Sequence, residues 1–456
     1  MNASALPLIT RQKSDSIAFL HKPLKSSDLS SGIIKAEEFL THVKQLAERL
    51  PAHQYCINFC GNRYYFMVAL CAVIYRQQTN LLPPNAQTAT LTKLYKQYPD
   101  SYILHDGMFA DEAYRQFDVS LVSLSGDADP TPVPTIAADH LSVISFTSGS
   151  TGSSKPNLKT WETLFVSTHI NREYMVPHSN QTFFQLATVP SQHMWGLETS
   201  VLLPLHSDVC SSDGKPLFPY DVNQHLQALP EPRMLVTTPV HLRALNETSL
   251  EYPQVKRVLC ATAPLSREIA LSAEQSLKAE LREIYGCSEI GSMAFKNTAQ
   301  TEQWQKFSGI DFEPGDNLTI VANGKHLPGP IELSDLIELQ EENRFLLKGR
   351  SSDMVNIGGK RGSLFEINKL LQNFPGLVDG IVFLPEQQVT TPRLAALVVL
   401  KNDNSKEKLK HYLRDHLDPA FIPRPILNID KLPREANGKL AKKALVALYQ
   451  KLIRDN

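Results

Sequence analysis

The chain has 456 residues, which at about 150 residues per domain corresponds to two or three domains, or to one large body with an appendage. Its 42% hydrophobic and 20% charged residues are ordinary for a folded globular protein and exclude disordered, collagenous and coiled-coil classes. A formal charge of −1, from 46 basic and 47 acidic side chains, lacks the electrostatic footprint of a nucleic-acid binder, so no nucleic-acid partner is expected.

Met1 to Thr10 has no positive segment ahead of an apolar one, and basic residues begin only at Arg11 and Lys13. No secretory signal is read there, and a cytoplasmic location is expected. The longest apolar run, Tyr64 to Tyr75, is 12 residues, short of the roughly 20 that cross a bilayer. It predicts a buried helix, and no membrane span is expected. The six cysteines are too sparse for a disulfide scaffold, and the Cys56/Cys60 pair has no second pair with which to hold zinc, so they read as reduced, mostly buried thiols. Apolar runs at Leu141 to Phe146, Met234 to Val236 and Val258 to Leu259 end in small or turn-forming residues. Helical patterns follow at Pro239 to Leu245 and Ser266 to Lys278. Strands alternating with helices predict an α/β architecture with functional loops at strand ends.

After Gly349 the pattern changes: helix Phe365 to Gln372, strands Gly380 to Leu384 and Leu394 to Lys401, helix Ser405 to Leu417, strand Ile426 to Ile429. That is a small α+β unit. Residues 351–456 carry 17 basic and 11 acidic side chains, a net of +6, leaving −7 on the rest. Such a unit suits an acidic protein partner, although the lysine-rich stretch Lys406 to Arg414 also reads as a plain solvated helix face.

Directly after Leu141 to Phe146 comes Thr147-Ser148-Gly149-Ser150-Thr151-Gly152-Ser153-Ser154-Lys155-Pro156. Hydroxyls, glycines and a lysine at this density can converge on phosphate oxygens. The P-loop pattern fails, because Ser154 stands where glycine is required and Pro156 where a hydroxyl is required. Alone, the stretch is more often an ordinary surface loop.

The order Thr-Ser-Gly-Ser-Thr-Gly-x-x-Lys after a strand nevertheless resembles the signature loop of the adenylate-forming superfamily: acyl- and aryl-CoA ligases, peptide-synthetase adenylation domains and luciferases. The superfamily's further motifs have counterparts in the same order. Ala261-Thr262-Ala263-Pro264 resembles its Gly-Gly-Ala-Pro turn, and Tyr285-Gly286-Cys287-Ser288-Glu289 its Tyr-Gly-x-[Ser/Thr]-Glu. Leu333-Ser334-Asp335 stands for Thr-Gly-Asp, Gly349-Arg350-Ser351-Ser352-Asp353 for Gly-Arg-x-Asp-Asp, and Gly359-Lys360-Arg361 for Gly-x-Arg. Pro433-Arg434 through Gly438-Lys439 matches the Pro-Arg-x-x-x-Gly-Lys ending. Asn58 to Phe66, leading to Leu81-Leu82-Pro83-Pro84, is similar to the start of short bacterial ligases of aryl-polyene and fatty-acid-like pathways.

The resemblance implies an α/β fold: a large N-terminal domain of stacked β-sheets and helices, residues 1–350, and a small mobile α+β C-terminal domain, residues 351–456. It implies that a carboxylic acid attacks the α-phosphorus of ATP with Mg²⁺ present, and that the acyl-adenylate passes to a thiol. The preferred acceptor is the phosphopantetheine arm of an acyl carrier protein, the rival is CoA, and the acid is aromatic, such as a hydroxybenzoate. A non-catalytic adenylate-binding protein is the alternative of another class.

By the same resemblance, Thr147, Ser148, Gly149, Ser150, Thr151, Gly152 and Lys155 hold the β- and γ-phosphates, Ser288 reaches the α-phosphate and Glu289 ligates Mg²⁺. Thr262, Ala263, Pro264, Tyr285 and Gly286 lie against adenine. Asp335 takes the ribose hydroxyls, Arg350 the ribose or phosphate edge, and Lys439 bridges the carboxylate and the α-phosphate. His193, Trp195, Gly196, Ala261, Gly286, Cys287 and Gly291 line the acid pocket, with core packing the alternative reading for Trp195 and Cys287. Gly359 and Arg361 flank the path of the thiol. The chain departs from the family pattern at Ser352, the usual hinge acid, and at Asn356, where lysine is common.

Overall fold

The computed structural model describes residues 4–22, 32–107, 109, 113–124, 132–147, 155–315, 319–385, 393–402, 405–434, 440 and 442–454. They form an α/β protein of two compact units, the first made of residues 1–261 and 272–295, the second of 262–271 and 296–456.

In the first unit the predicted buried helix spans Arg63–Tyr75, and its residues are buried from Arg63 through Ile74. The Asn62 side chain caps it, accepting from the backbone N–H groups of Tyr64 and Tyr65. A helix apolar on every side needs cover on every side, and this one lies within a core that includes Phe39, Leu40, Tyr102, Val143 and Leu197. One sheet runs in the order Lys155–Thr160, Leu141–Thr147, Thr79–Leu82, Tyr55–Asn58, Ser101–His105, Gln116–Asp118. Its first pair is antiparallel and the remaining pairs are parallel. Its inner strands Thr79–Leu82 and Ser101–His105 are buried at every position, as expected of strands covered on both faces. A second parallel run joins Glu280–Cys287, Arg257–Cys260, Arg233–Thr237, Phe183–Ala187, Val209–Ser212 and Ser16–Leu20.

In the second unit, Arg344–Arg350 pairs antiparallel with Asp335–Leu339 and with Trp304–Lys306. The chain then enters a short turn at Ser351–Asp353 and a hairpin, Met354–Ile357 with Lys360–Ser363. Helix Leu364–Gln372 follows, capped by the Ser363 hydroxyl, which accepts from the Glu366 N–H. Strand Leu377–Phe383 pairs antiparallel with Ala395–Leu400, which pairs parallel with Ile426–Asn428. Helices Ser405–His416 and Lys442–Arg454 complete the α+β part. Two hydrophobic clusters draw their residues entirely from Val355 onwards. The compact units part at Phe295/Lys296, with 262–271 exchanged, rather than at the 350/351 boundary expected from the motifs. Compactness does not test that expected boundary, which concerns rotation of the small domain. No helix among the described residues is long and apolar enough to cross a membrane. Of the six free cysteines, five are buried and Cys287 is half-buried.

One buried group in the first unit makes stability depend on pH. His206 is 4% exposed among Trp161, Phe165 and His169, and neither ring nitrogen has a hydrogen-bond partner among the described residues. Burial, with His169 adding to it, lowers its pKa to about 3. Below the ordinary histidine value the unfolded chain therefore binds a proton that the folded chain refuses. This contribution is fully present above about pH 6.5 and is lost as pH falls toward 3. His206→Phe is expected to gain about 2 kcal/mol more stability at pH 5 than at pH 7.5, measured by urea unfolding at the two pH values.

Candidate active site

Strand Leu141–Thr147 lies inside the first sheet, and Lys155 stands opposite Thr147 in the antiparallel register. The chain thus leaves and rejoins the sheet at one level. Ser148, Gly149, Ser150, Thr151 and Gly152 lie outside the described residues, while Lys155 is exposed at the start of the edge strand.

The second parallel run ends with Tyr285, Gly286 and Cys287 as the last residues of strand Glu280–Cys287. Tyr285 is buried, Gly286 is exposed, Ser288 is half-buried and Glu289 is exposed. An exposed carboxylate on a turn is the hard oxygen donor that suits Mg²⁺, which is commonly held through one or two carboxylates and substrate phosphates. Burial pushes the Cys287 thiol up to about 12, which disfavours the thiolate that a nucleophile needs.

Ala261 follows strand Arg257–Cys260 and is buried. Thr262 has φ +88°, a left-handed conformation that a β-branched residue rarely adopts, and its hydroxyl is buried without a partner among the described residues. The superfamily turn has glycine at this position, and the backbone here shows the reason. Thr262→Gly is expected to relieve about 1–3 kcal/mol of strain against about 1 kcal/mol of added unfolded-state entropy, a net gain of about 1 kcal/mol. A higher urea midpoint at unchanged slope checks it.

The segment Val189 to Gly196, whose His193, Trp195 and Gly196 are expected to line the acid pocket, is held from beneath. His193 precedes the short helix Met194–Leu197. The Trp195 Nε1–H donates to the Thr237 carbonyl at 3.2 Å. Gly196 is fixed by packing, because a Cβ there would sit 1.9 Å from the Pro190 carbonyl oxygen. Beneath this segment lies Arg63, 2% exposed. Its guanidinium donates to the carbonyls of Ala187 (2.9 Å) and Val189 (3.0 Å), to the Ser191 hydroxyl (3.0 Å) and to the Ser200 hydroxyl. Burial lowers its pKa to about 10, against the opposing effect of Asp213. Sequence reasoning gave Arg63 no role. The one available signal is a charge placed directly before a 12-residue apolar run.

In the second unit Asp335 and Arg350 face each other across two strands, with Arg350 Nε 3.2 Å from Asp335 Oδ1. The structure therefore brings together the two residues expected at the ribose. Gly358 and Gly359, at φ +59° and +83°, form the two-residue turn of the 354–363 hairpin, and Arg361 is exposed beside it. Lys360 pairs with Asp418 at 2.6 Å. Arg434 makes a bidentate pair with Asp379, at 2.7 and 2.8 Å, and its backbone bridges to Leu440. Lys439 lies outside the described residues. Ser352 and Asn356, the departures from the family pattern, are both exposed.

The chain belongs to the AMP-binding enzyme family: residues 46–327 match that family's sequence model, and residues 366–439 match its C-terminal domain. It is similar to a dimodular nonribosomal peptide synthase of Bacillus subtilis (strain 168), at 35% identity over 99 residues, which is 22% of this chain and 4% of that protein. It is also similar to enterobactin synthase component E of Escherichia coli (strain K12), at 21% identity over 364 residues, covering 70% of this chain and 66% of the relative. The chain thus spans only a small part of the large peptide synthases that it matches. Among solved structures, O-succinylbenzoate coenzyme A synthetase (MenE) from Bacillus subtilis, in complex with ATP and magnesium ion, superposes with a TM-score of 0.76 at 18% identity, covering 94% of this chain and 96% of that one. At that identity the likeness is one of fold.

Proposed function

We propose that the protein activates a carboxylic acid with ATP, forming an acyl-adenylate and pyrophosphate, and passes the acyl group to a thiol. The observation that carries this reading is the placement of the Tyr285 to Glu289 motif at the end of a parallel strand, with Ser288 and Glu289 on the following turn, in a chain of the AMP-binding enzyme family. Asp335 paired with Arg350 supports it.

In this reading the carboxylate oxygen attacks the α-phosphorus, the bond to the bridging oxygen breaks, and pyrophosphate leaves with the electron pair. Two anions must meet, so fixed donors and positive charge have to surround them. Lys155 and the hydroxyls of 147–151 hold the outer phosphates, Ser288 the α-phosphate and Glu289 the metal. When bound, Mg²⁺ offsets charge on the leaving pyrophosphate. Tyr285 offers a ring face to adenine, and Thr262, Ala263 and Pro264 offer backbone. Asp335 accepts from the ribose hydroxyls. His193 and Trp195 bound the acid, and an aromatic acid of hydroxybenzoate type suits a lining with few polar tips. In the second step the thiol, entering past Gly359 and Arg361, gives its proton to solvent as its sulfur bonds the acyl carbon, the carbon–oxygen bond to the phosphate breaks, and AMP leaves with the electron pair.

The acceptor we favour is the phosphopantetheine arm of an acyl carrier protein, supported by the net +6 of residues 351–456, since an acidic partner is steered toward positive charge. Free CoA is the second reading, supported by the coenzyme A synthetase named among the structural relatives. Supplying acid and ATP with either CoA or holo-carrier protein separates them. Thioester formed on carrier protein supports the first, and thioester formed on CoA alone overturns it.

A further inference from the structure

The turn that carries Ser288 and Glu289 is gripped from below by two buried, oppositely charged side chains. Lys159, on the strand Lys155–Thr160, is 2% exposed, and its ammonium donates to the Glu289 backbone carbonyl at 2.5 Å. Glu198 is 4% exposed, and its carboxylate accepts from the Ser292 N–H at 3.1 Å and the Ser292 hydroxyl at 2.9 Å. Between these two anchors stands Gly291, at φ +104°, where a Cβ would meet Glu198 Oε1 at 2.4 Å. The carboxylate thus occupies the space that any side chain at 291 would need. Burial lowers the proton affinity of Lys159, and Glu198 and Glu289 oppose that shift. Burial raises the pKa of Glu198, opposed by its two bonds to Ser292 and by Lys159. Neither group is exposed enough to serve solubility, and burying an ion is unfavourable unless it has partners. Besides the Asn171 side-chain amide, which donates to Glu198 Oε1 at 3.4 Å, the partners they have are the two ends of one short turn.

We infer that Lys159 and Glu198 are positioning residues that fix the turn 289–292 and thereby aim the Glu289 carboxylate at the metal of the nucleotide complex. The inference rests on the reading of Glu289 as a metal ligand. Neither side chain touches substrate; each acts through backbone that it holds by a charge-assisted hydrogen bond. Loss of the lysine frees the Glu289 carbonyl, and loss of the carboxylate frees Ser292 and opens room beside Gly291. Either change lets the metal-binding side chain sample orientations that do not meet the cation.

The test is Mn²⁺ binding to the full chain with ATP present and no acid, read by electron paramagnetic resonance, so that catalysis is not the readout. Lys159→Met and Glu198→Met each remove one charge together with its hydrogen bonds to the turn, and the double variant Lys159→Met/Glu198→Met removes both, so it leaves no uncompensated buried ion and keeps the test alive should a single variant fail to fold. The expected result is a Mn²⁺ dissociation constant raised about tenfold in the folded double variant, with partial recovery in Lys159→Arg and with metal-free ATP affinity unchanged. A dissociation constant within twofold of the parent in the folded double variant overturns the inference. Glu289→Gln is the control for the reading beneath it. If Glu289→Gln weakens Mn²⁺ and the double variant does not, the positioning role fails alone. If Glu289→Gln has no effect, the metal-ligand reading fails with it.

Discussion

Lys439→Ala is expected to lower acid-stimulated pyrophosphate release by about 10²–10³-fold while preformed acyl-adenylate is still consumed by thiol at close to the parent rate. The asymmetry follows from where charge develops. In the first half-reaction a carboxylate and a phosphate approach one another, and a cation between them is worth most at the transition state. In the second, a thiol attacks a neutral acyl carbon and that cation has no comparable task. The base of the segment that carries Lys439 is fixed by the Arg434–Asp379 pair and the Arg434–Leu440 bridge. Single-turnover measurement of each half-reaction separates the two. Equal losses in both would remove Lys439 from the adenylating step.

Arg63→Ala is expected to cost about 3–5 kcal/mol of stability, the largest structural effect we anticipate. A guanidinium 2% exposed is removed, a cavity remains, and two carbonyls and two hydroxyls lose their donor. Those acceptors belong to strand Phe183–Ala187, to the stretch leading into His193, and to the helical turn containing Ser200. The Michaelis constant for the acid should therefore rise in whatever fraction of the variant folds. Arg63→Lys should recover little, because one ammonium cannot reproduce a planar fork reaching four acceptors. Urea unfolding gives the first quantity and acid-dependent pyrophosphate release the second. A loss below about 1 kcal/mol would show that solvent replaces the network.

Much of the architecture is legible in local pattern. The run Tyr64 to Tyr75 becomes the helix Arg63–Tyr75, and the segment Leu141 to Phe146 becomes the strand Leu141–Thr147. The predicted helix Pro239 to Leu245 is observed as Pro239–Asn246, and Ser405 to Leu417 as Ser405–His416. These elements announce themselves because their burial is periodic or continuous along the chain. Strand Leu377–Phe383 begins three residues ahead of the predicted Gly380, since Asp379 reads as a loop residue until its pair with Arg434 is seen. Helix Lys442–Arg454 goes unread from sequence, its lysine-rich start masking a stripe that buries Leu445 and Tyr449.

The site is legible where chemistry is written in short motifs and illegible where it depends on distant partners. Asp335 and Arg350 are 15 positions apart, and strand pairing joins them. Arg63 meets its acceptors across 124 to 137 positions, Lys159 reaches Glu289 across 130 and Glu198 reaches Ser292 across 94. A lone buried charge gives no local signal of the partner that makes it tolerable, so these groups emerge only once the fold is known. Thr262 is the intermediate case: the family's glycine marks the position, and the positive φ supplies the cause.

Acid activation is read as pyrophosphate release from ATP and Mg²⁺ across benzoates, cinnamates and fatty acids, with no thiol present. Release stimulated by one class of acid, and absent in Lys439→Ala, is the predicted result. ATP binding without acid-stimulated release from any class, and still none after carrier protein or CoA is added, would contradict the adenylating reading.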